Sequence, residues 1–368
     1  MEQWKEYQLG DLLNFRRGHD LPKSEMIAGD IPVAGSNGVI GFHNEATPIS
    51  PCITIGRSGN VGTPNFYEKC WAHNTVLYID DFKENNPEFL FYLLKTIPLK
   101  SFGGGSAVPT LNRNHIHPIV VKSTKDIRLQ QKIVEILKSL DEKIELNRQI
   151  NDNLEQQAQA LFNHYFVENT ELLGEYDEVC LLDIASYTNG LAMQKYRPSE
   201  DETSYLPVMK IKELGQGFTD SNSDICTCNI PEIYIINSGD IIFSWSGTLM
   251  VKIWCGETAG LNQHLFKVSS ESYEKWFYYF WTKYHLRKFI NIAKDKAVTM
   301  GHIKREDLAK SKVILPNQAT LQNLNKIFSP IMDSIINNEI ESKQQVQLRD
   351  TLLPRLMSGE LKINEIDC

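Results

Sequence analysis

Residues 127–166, IRLQQKIVEILKSLDEKIELNRQINDNLEQQAQALFNHYF, decide how this chain is organised. Alternating steps of four and three from Ile133 meet Leu137, Leu140, Ile144, Asn147, Asn151, Leu154, Ala158, Leu161 and Tyr165. That is a heptad seam, apolar at both ends and carrying asparagine in its middle. Neither proline nor glycine interrupts it, so the spacing predicts one long helix; its 40 residues at ~1.5 Å each make a rod of about 60 Å. A rod with one apolar seam must bury that seam against another helix.

Residues 317–358, NQATLQNLNKIFSPIMDSIINNEIESKQQVQLRDTLLPRLMS, are that partner, with Pro330 and Pro354 expected to kink or break the helix locally. A shift of 192 positions places Leu129-Gln130 on Leu321-Gln322, Leu140-Asp141 on Met332-Asp333, Ile144 on Ile336, Leu154 on Val346 and Leu161 on Leu353. The likeness extends to what precedes each helix. At a shift of 172, Leu9–Gly18 matches Leu181–Gly190. Further on, Ile31-Pro32-Val33 matches Leu206-Pro207-Val208. At a shift of 188, residues 53–60 (ITIGRSGN) meet 241–248 (IIFSWSGT), Asn74 meets Asn262, and FLFYLL (89–94) meets FYYFWT (277–282). Ala107-Val108 then meets Ala297-Val298. The chain is a tandem duplication, far longer in period than a solenoid repeat. Its expected parts are a globular unit over 1–125, a helix over 126–169, a second unit over 170–315, and a second helix with a frayed tail over 316–368.

With 368 residues, 42% apolar and 23% charged, the chain has room for two cores. The N-terminus shows no charged-then-apolar leader and the chain no long apolar run, which points to a cytoplasmic protein without a membrane span. The seven cysteines have no framework spacing, and Cys226-x-Cys228 lacks a second pair to complete a zinc site; reduced thiols are expected. The net charge of −8 divides into 0, −3, −3 and −2 over the four parts. Such a chain would bind DNA poorly alone, because phosphate neutralisation supplies most non-specific affinity.

In the first unit, Tyr7–Leu9, residues 31–35 and 51–56, Val76–Ile79 and Ile119–Val121 read as strands. Leu9–Phe15 reads as a short helix or turn, Pro87–Thr96 as an apolar helix, and Gly103-Gly104-Gly105 as an elbow. The second unit repeats the order with a strand near 207–211, a strand and loop over 240–248, a strand over 265–268 and a helix over 275–292. Catalytic constellations are not met. Ser58 sits in a G-x-S-G loop near His73, but Asn60 stands where a nucleophile elbow needs its last glycine. The loop also lacks the G-K-[ST] ending of a phosphate loop. His115-x-His117 has no third ligand in motif spacing, and Glu341-x-Lys343 reads as a solvated helix face. No catalytic or metal-binding residue is expected.

What remains is a polar loop surface present twice. Arg16, Arg17, Lys23, Ser36, Asn37, Arg57, Ser58, Asn60 and Asn65 form it in the first unit. Lys195, Arg197, Lys210, Lys212, Ser244, Trp245, Ser246 and Thr248, with Asn262-Gln263-His264, form it in the second. Arginine can read guanine edges and asparagine or glutamine adenine edges, while Lys, Ser and Thr suit phosphates. The two units differ most in these loops. An antiparallel pairing of the rods would give pseudo-twofold symmetry, suited to a duplex read at two places.

These features resemble the specificity subunits of type I restriction-modification systems over nearly the whole length. The likeness rests on paired L-x-D-[LI]-x-x-[FY]-x-x-G openings at Leu9 and Leu181, the G-R-S-G-N-V-G loop (56–62) with Ala72-His73-Asn74, and residues 240–247 (DIIFSWSG) followed by Leu261-Asn262-Gln263-His264. The ending Leu352-Leu353-Pro354-Arg355-Leu356-Met357-Ser358-Gly359-Glu360-Leu361 completes it. The resemblance implies two α/β (α+β) target-recognition domains in tandem, each followed by a long helix of an antiparallel coiled coil. It implies double-stranded DNA as ligand and two modification (methyltransferase) subunits that carry S-adenosylmethionine and methylate adenine. It also implies restriction subunits that use ATP and Mg, with no cofactor on this chain. The chain stands towards the short end of the family, and Pro330 departs from a straight second rod. Two other classes are a fused enzyme–specificity remnant, opposed by the absence of an N-P-P-aromatic motif, and a non-catalytic coiled-coil protein-protein adaptor, opposed by the polar, divergent loops. If the rod sets the separation of two half-sites, seven residues inserted near Asn151 will lengthen the spacer of the methylated sequence. Mapping methylated bases in cells carrying the insertion tests this, and an unchanged spacer refutes it.

Overall fold

In the computed structural model, which describes residues 4–103, 110–295 and 302–363, the chain divides into two units, residues 1–142 with 345–368 and residues 143–344. The first begins with β1 (Lys5–Gln8), one helical turn α1 (Leu9–Leu12) and β2 (Asn14–Arg17). The expected helix or turn through Phe15 therefore stops early. Asn14–Arg17 pair antiparallel with a later strand through a bulge at Asn14/Phe15, and the freed Phe15 amide donates to His117 Nε2 at 3.1 Å. Next come β3 (Ile31–Gly35), β4 (Gly38–His43), β5 (Cys52–Gly56), β6 (Pro64–Tyr67), β7 (Trp71–Ala72) and β8 (Val76–Asp81). Helix α2 (Pro87–Thr96) starts where predicted: Pro87 opens it and the Asn86 side chain caps the Phe89 amide at 3.1 Å. α3 (Arg113–Ile116), β9 (Val120–Ser123) and α4 (Ile127–Asn163) follow.

The second unit repeats this order. It contains β10 (Tyr176–Cys180), α5 (Leu181–Ile184), β11 (Ser186–Asn189), β12 (Tyr205–Met209), α6 (Ile211–Gln216), β13 (Ile225–Thr227), β14 (Ile235–Ile236) and β15 (Asp240–Ser244). Then come β16 (Met250–Trp254), β17 (Ala259–Leu261), β18 (Leu265–Ser269), α7 (Lys275–Asp295), α8 (Arg305–Ala309), β19 (Lys312–Pro316) and α9 (Gln318–Met357). The sheet order β2-β8-β5-β6 recurs as β11-β18-β15-β16, β4-β3-β7 as β13-β12-β17-β14, and the pair β1-β9 as β10-β19. The central strands β5 and β15 read as near-continuous apolar runs because neighbours cover them on both faces: every residue of β5, and Ile241–Ser244 of β15, is buried.

Each core is closed by helix. In the first unit Ile133, Val134 and Leu137 of α4 and Leu353, Leu356 and Met357 of α9 join Leu9, Phe15, Ile55 and Phe89 in one cluster. Asp141 ties three helices there, accepting from Arg349 Nη1 at 2.7 Å and from the Tyr92 hydroxyl at 2.8 Å. In the second unit α4 and α9 run antiparallel. Lys143 Nζ lies 3.0 Å from Glu341 Oε2, Asn147 Nδ2 donates to the same carboxylate at 2.8 Å, and Asn151 Nδ2 donates to the Ile335 carbonyl at 3.0 Å. Asn338 Nδ2 returns a 3.0 Å bond to Asn151 Oδ1. The seam thus pairs as an antiparallel coil whose middle is locked by asparagine.

Several expectations change. α9 runs unbroken through Pro330 and Pro354; Ser334 Oγ bonds the Pro330 carbonyl at 2.8 Å. Ile133, Leu137 and Asn147 are buried, whereas Leu140, Ile144, Asn151, Leu154, Leu161 and Tyr165 are half-buried. At the end of α4 the fully buried positions are Ala158, Phe162 and Phe166, because a helix of 3.6 residues per turn drifts off a 3.5 seam once a globular core surrounds it. Lys343 is not on a solvated face: it donates to the Gly217 carbonyl at 2.6 Å and lies 5.1 Å from the Trp254 ring centre. Residues 359–361 are not frayed, since the Leu361 amide bonds the Arg355 carbonyl at 3.1 Å and the Trp4 ring packs on Gly359. The elbow glycines 104–105, the matched pairs 107–108 and 297–298, and the tail from 364 lie outside the described residues.

Gly18 and Gly190 are the duplicated glycines at which backbone meets backbone. A Cβ on Gly18 would lie 2.1 Å from the His73 carbonyl oxygen, and one on Gly190 2.3 Å from that of Asn262. Gly18→Ala and Gly190→Ala will each destabilise their unit by about 1–3 kcal/mol. Gly215→Ala, in α6, where the nearest atom is the Met250 methyl at 3.8 Å, will leave the melting temperature unchanged or raise it. Thermal melts of the full chain check this, and three equal melts would refute it.

Candidate nucleic-acid interface

The same set of backbone bonds gathers the loops of each unit. In the first, Gly18 N bonds Val76 O, His19 N bonds Ala72 O, His73 N bonds Ala34 O, Arg57 N bonds Thr75 O, and Leu111 N bonds Arg57 O, all at 2.8–3.1 Å. In the second, the pairs are Gly190 with Leu265, Leu191 with Leu261, Asn262 with Met209, Trp245 with His264, and Ile303 with Trp245, at 2.9–3.4 Å. Isolated bridges repeat as well: His19 with His73 and Leu191 with Asn262, Ser58 with Thr110 and Ser246 with His302. These bonds set Asn262 opposite His73 rather than Asn74, correcting the sequence register there by one residue. Arg57 and Trp245 are equivalent, as the sequence indicates, and Arg17 is equivalent to Asn189.

In the first unit the bonds bring Arg17, Arg57 and Ser58 around Thr75, whose hydroxyl accepts from the Ser36 amide at 3.3 Å and lies 3.0 Å from His73 Nδ1. Burial lowers the His73 pKa, against the pull of the Asp20 carboxylate, so its ring is neutral near neutral pH and able to accept. Asn37 is exposed in the turn between β3 and β4, and Asn60 Oδ1 accepts from Thr63 Oγ1 at 3.3 Å. Arg16 is exposed on the opposite face of β2 from Arg17. Lys23 occupies a separate turn, Lys23–Glu25, and Asn65 lies along β6 with its amide on the Thr63 carbonyl at 3.4 Å.

In the second unit a cluster of rings stands beside the same loops. Trp245 Nε1 donates to Asn189 Oδ1 at 3.0 Å, and its ring centre lies 5.7 Å from that of Phe266. With Tyr187, Ile303, Arg305 and Leu308 these residues line a cavity of about 320 Å³. Ser246 Oγ lies 3.1 Å from His264 Nδ1, and Thr248 is exposed. Ser244 is fully buried, its hydroxyl donating to the Ser246 carbonyl at 3.2 Å, so it braces the loop from inside. Lys195 and Arg197 are exposed on the turn after β11. Lys210 and Lys212 are spent on carboxylates: Lys210 pairs with Asp224 at 2.5 Å and Lys212 with Asp220 at 3.5 Å. Asn189 and Arg305 were not singled out in the sequence; their signal was their place in the duplication.

His117, considered as a metal ligand, accepts the Phe15 amide and stacks on the Phe15 ring. Among the described residues no group of three His, Cys, Asp or Glu side chains is placed to hold a metal ion, and no helix is long and apolar enough to cross a membrane.

Comparison with known proteins agrees with this architecture. The family described as the type I restriction modification DNA specificity domain matches the chain twice, over residues 1–156 and 174–349. The MjaIX specificity subunit of Methanocaldococcus jannaschii is 28% identical over 306 residues, 76% of this chain and 70% of that protein. The HindI specificity subunit of Haemophilus influenzae is 23% identical over 356 residues, 75% of this chain and 77% of that one. The crystal structure of a type I restriction-modification S subunit from M. genitalium superimposes with a TM-score of 0.63 over 96% of both chains at 15% identity, a likeness of fold. With its two halves each matched in this way, the chain belongs to the type I restriction-modification DNA specificity family, as a specificity subunit that recognises DNA.

Proposed function

We propose that this chain reads a two-part duplex sequence, one half-site per unit, and directs the enzymes of a type I restriction-modification system to it. The observation that carries this is the contrast within the duplication. The same backbone bonds hold the same loops twice, yet the places of Arg17, Arg57 and His73 in one unit are taken by Asn189, Trp245 and Asn262 in the other. A scaffold repeated faithfully with altered loop tips suits two readers of different sequences. Arg57 and Arg17 suit guanine edges; the Trp245–Phe266 surface and Asn189 suit thymine methyl and adenine. Ser36, Asn37, Ser58 and Asn60, with Lys195, Arg197, Ser246 and Thr248, supply the surrounding polar contacts, and Arg16, Lys23 and Asn65 lie apart from them.

The chemistry lies on partners in this reading. Two modification subunits carry S-adenosylmethionine and methylate adenine, and restriction subunits use ATP and Mg, while this chain selects the site without catalysing a step. The net charge of −8 supports such a division, since partners then provide much of the phosphate neutralisation.

A methylated-base map of the host genome with and without the gene tests the reading. A split methyladenine motif that vanishes on deletion is the expected result, and an unchanged map rejects it. Arg57→Ala will relax one half of that motif and Trp245→Ala the other, by about 1–3 kcal/mol of discrimination at the affected position. Relaxation of both halves by either variant would show that the two units do not read separately.

A further inference from the structure

We propose that Arg113 and Arg305 each bind one phosphate of the DNA backbone beside the half-site that their unit reads. The inference rests on the DNA reading above and adds to it two residues that the loop chemistry did not reach. Their equivalence follows from the hydrogen bonds. Leu111 and Ile303 donate to the carbonyls of the equivalent residues Arg57 and Trp245, at 2.8 and 3.0 Å. Two residues on, Arg113 opens α3 and Arg305 opens α8, and three further on Ile116 and Leu308 are buried. Each arginine also lies beside the same ring position: Arg113 Nη1 reaches the Phe15 carbonyl at 3.4 Å, and Arg305 shares its cavity with Tyr187.

The bond to the Phe15 carbonyl takes up only one N–H of Arg113. Both side chains are exposed. Among the described residues neither pairs with a carboxylate, in contrast to Lys210 and Lys212. The buried residues around them recur for packing, whereas the loop-tip side chains around them change, Arg57 to Trp245 and Arg17 to Asn189. Two half-sites of different sequence share one thing, the phosphate backbone. A side chain kept the same amid neighbours that differ addresses that shared part, and a guanidinium with free N–H donors is suited to it.

The test uses the full chain assembled with the modification subunits of its system, and two labelled duplexes, one carrying the methylated motif and one scrambled. Arg113→Gln and Arg305→Gln will each weaken both duplexes by the same factor, about 5-fold at 0.15 M salt, and lower the slope of log K against log salt by about 0.9. Arg113→Lys and Arg305→Lys will restore most of the loss, since a point charge suffices for a phosphate. The methylated motif will be unchanged in all four variants. A larger loss on the motif duplex, a relaxed motif or no rescue by lysine would make these base contacts and overturn the proposal. So would unchanged affinity, or failure of the Gln variants to assemble with the modification subunits. A wild-type complex that binds neither duplex would instead reject the DNA reading itself, and this proposal with it.

Discussion

The seam of α4 has to leave water, and residues about two hundred positions later take it out. Hydrogen bonds between α4 and α9 join residues 184 to 208 apart in sequence. Everything else is arranged around that pairing. The first unit is not a continuous segment: its core is completed by Leu353, Leu356 and Met357, and its edge by Trp4 on Gly359. Such contacts are costly in loop entropy until they form, so the pairing must be specific once made. The asparagines provide that. Asn338 donates to Asn151 Oδ1, Asn151 donates to the Ile335 carbonyl, and Asn147 reaches Glu341. A slipped or parallel register would leave these amides against apolar side chains, at roughly 1–3 kcal/mol for each unsatisfied group. Asn147 Oδ1 already lacks a donor among the described residues. The polar middle therefore gives up stability for register.

Scaffold and reading surface are separated residue by residue. Gly18 and Gly190 permit the close approach of one loop to the next, and the amides of Arg57 and Trp245 hang on the carbonyls of Thr75 and His264. None of these bonds involves a side chain tip. The tips are consequently free to change without disturbing the loops, and they have changed, from arginines in one unit to an indole and an amide in the other. This is how one fold can carry two specificities in a single chain.

The organisation was legible because its signals are periodic or duplicated. Heptad spacing announced α4, Asn86-Pro87 announced α2, and the paired L-x-D openings announced the second unit. What was not legible depended on partners far along the chain. β2 exists because β8 offers a ladder to Asn14–Arg17, which no local propensity in that stretch demands. Pro330 sits inside α9 because packing along the whole helix outweighs one lost hydrogen bond. At the reading surface, nothing in the sequence near Lys210 tells that Asp224 neutralises it, or that Ser244 faces inward. Arg113 and Arg305 were hidden for the opposite reason: each is an ordinary surface residue until the bonds of Leu111 and Ile303 show that they are the same residue twice.

An acidic chain that recognises a polyanion must separate selectivity from affinity. Of its cations near the loops, those on α6 are paired with carboxylates, and Lys343, with its pKa lowered by burial, is held by a carbonyl and a ring inside the second unit. Among the described residues, Arg17, Arg57, Arg113 and Arg305 carry no carboxylate partner and stand where the loops of each unit converge. A binder built so gains little from any duplex by charge alone, because each phosphate contact contributes only a modest, salt-dependent term. Discrimination between sequences does not require that term, since it depends on differences among base edges at the loop tips. Weak intrinsic attraction to DNA at large is then an advantage. It keeps the chain from being held on non-specific sites.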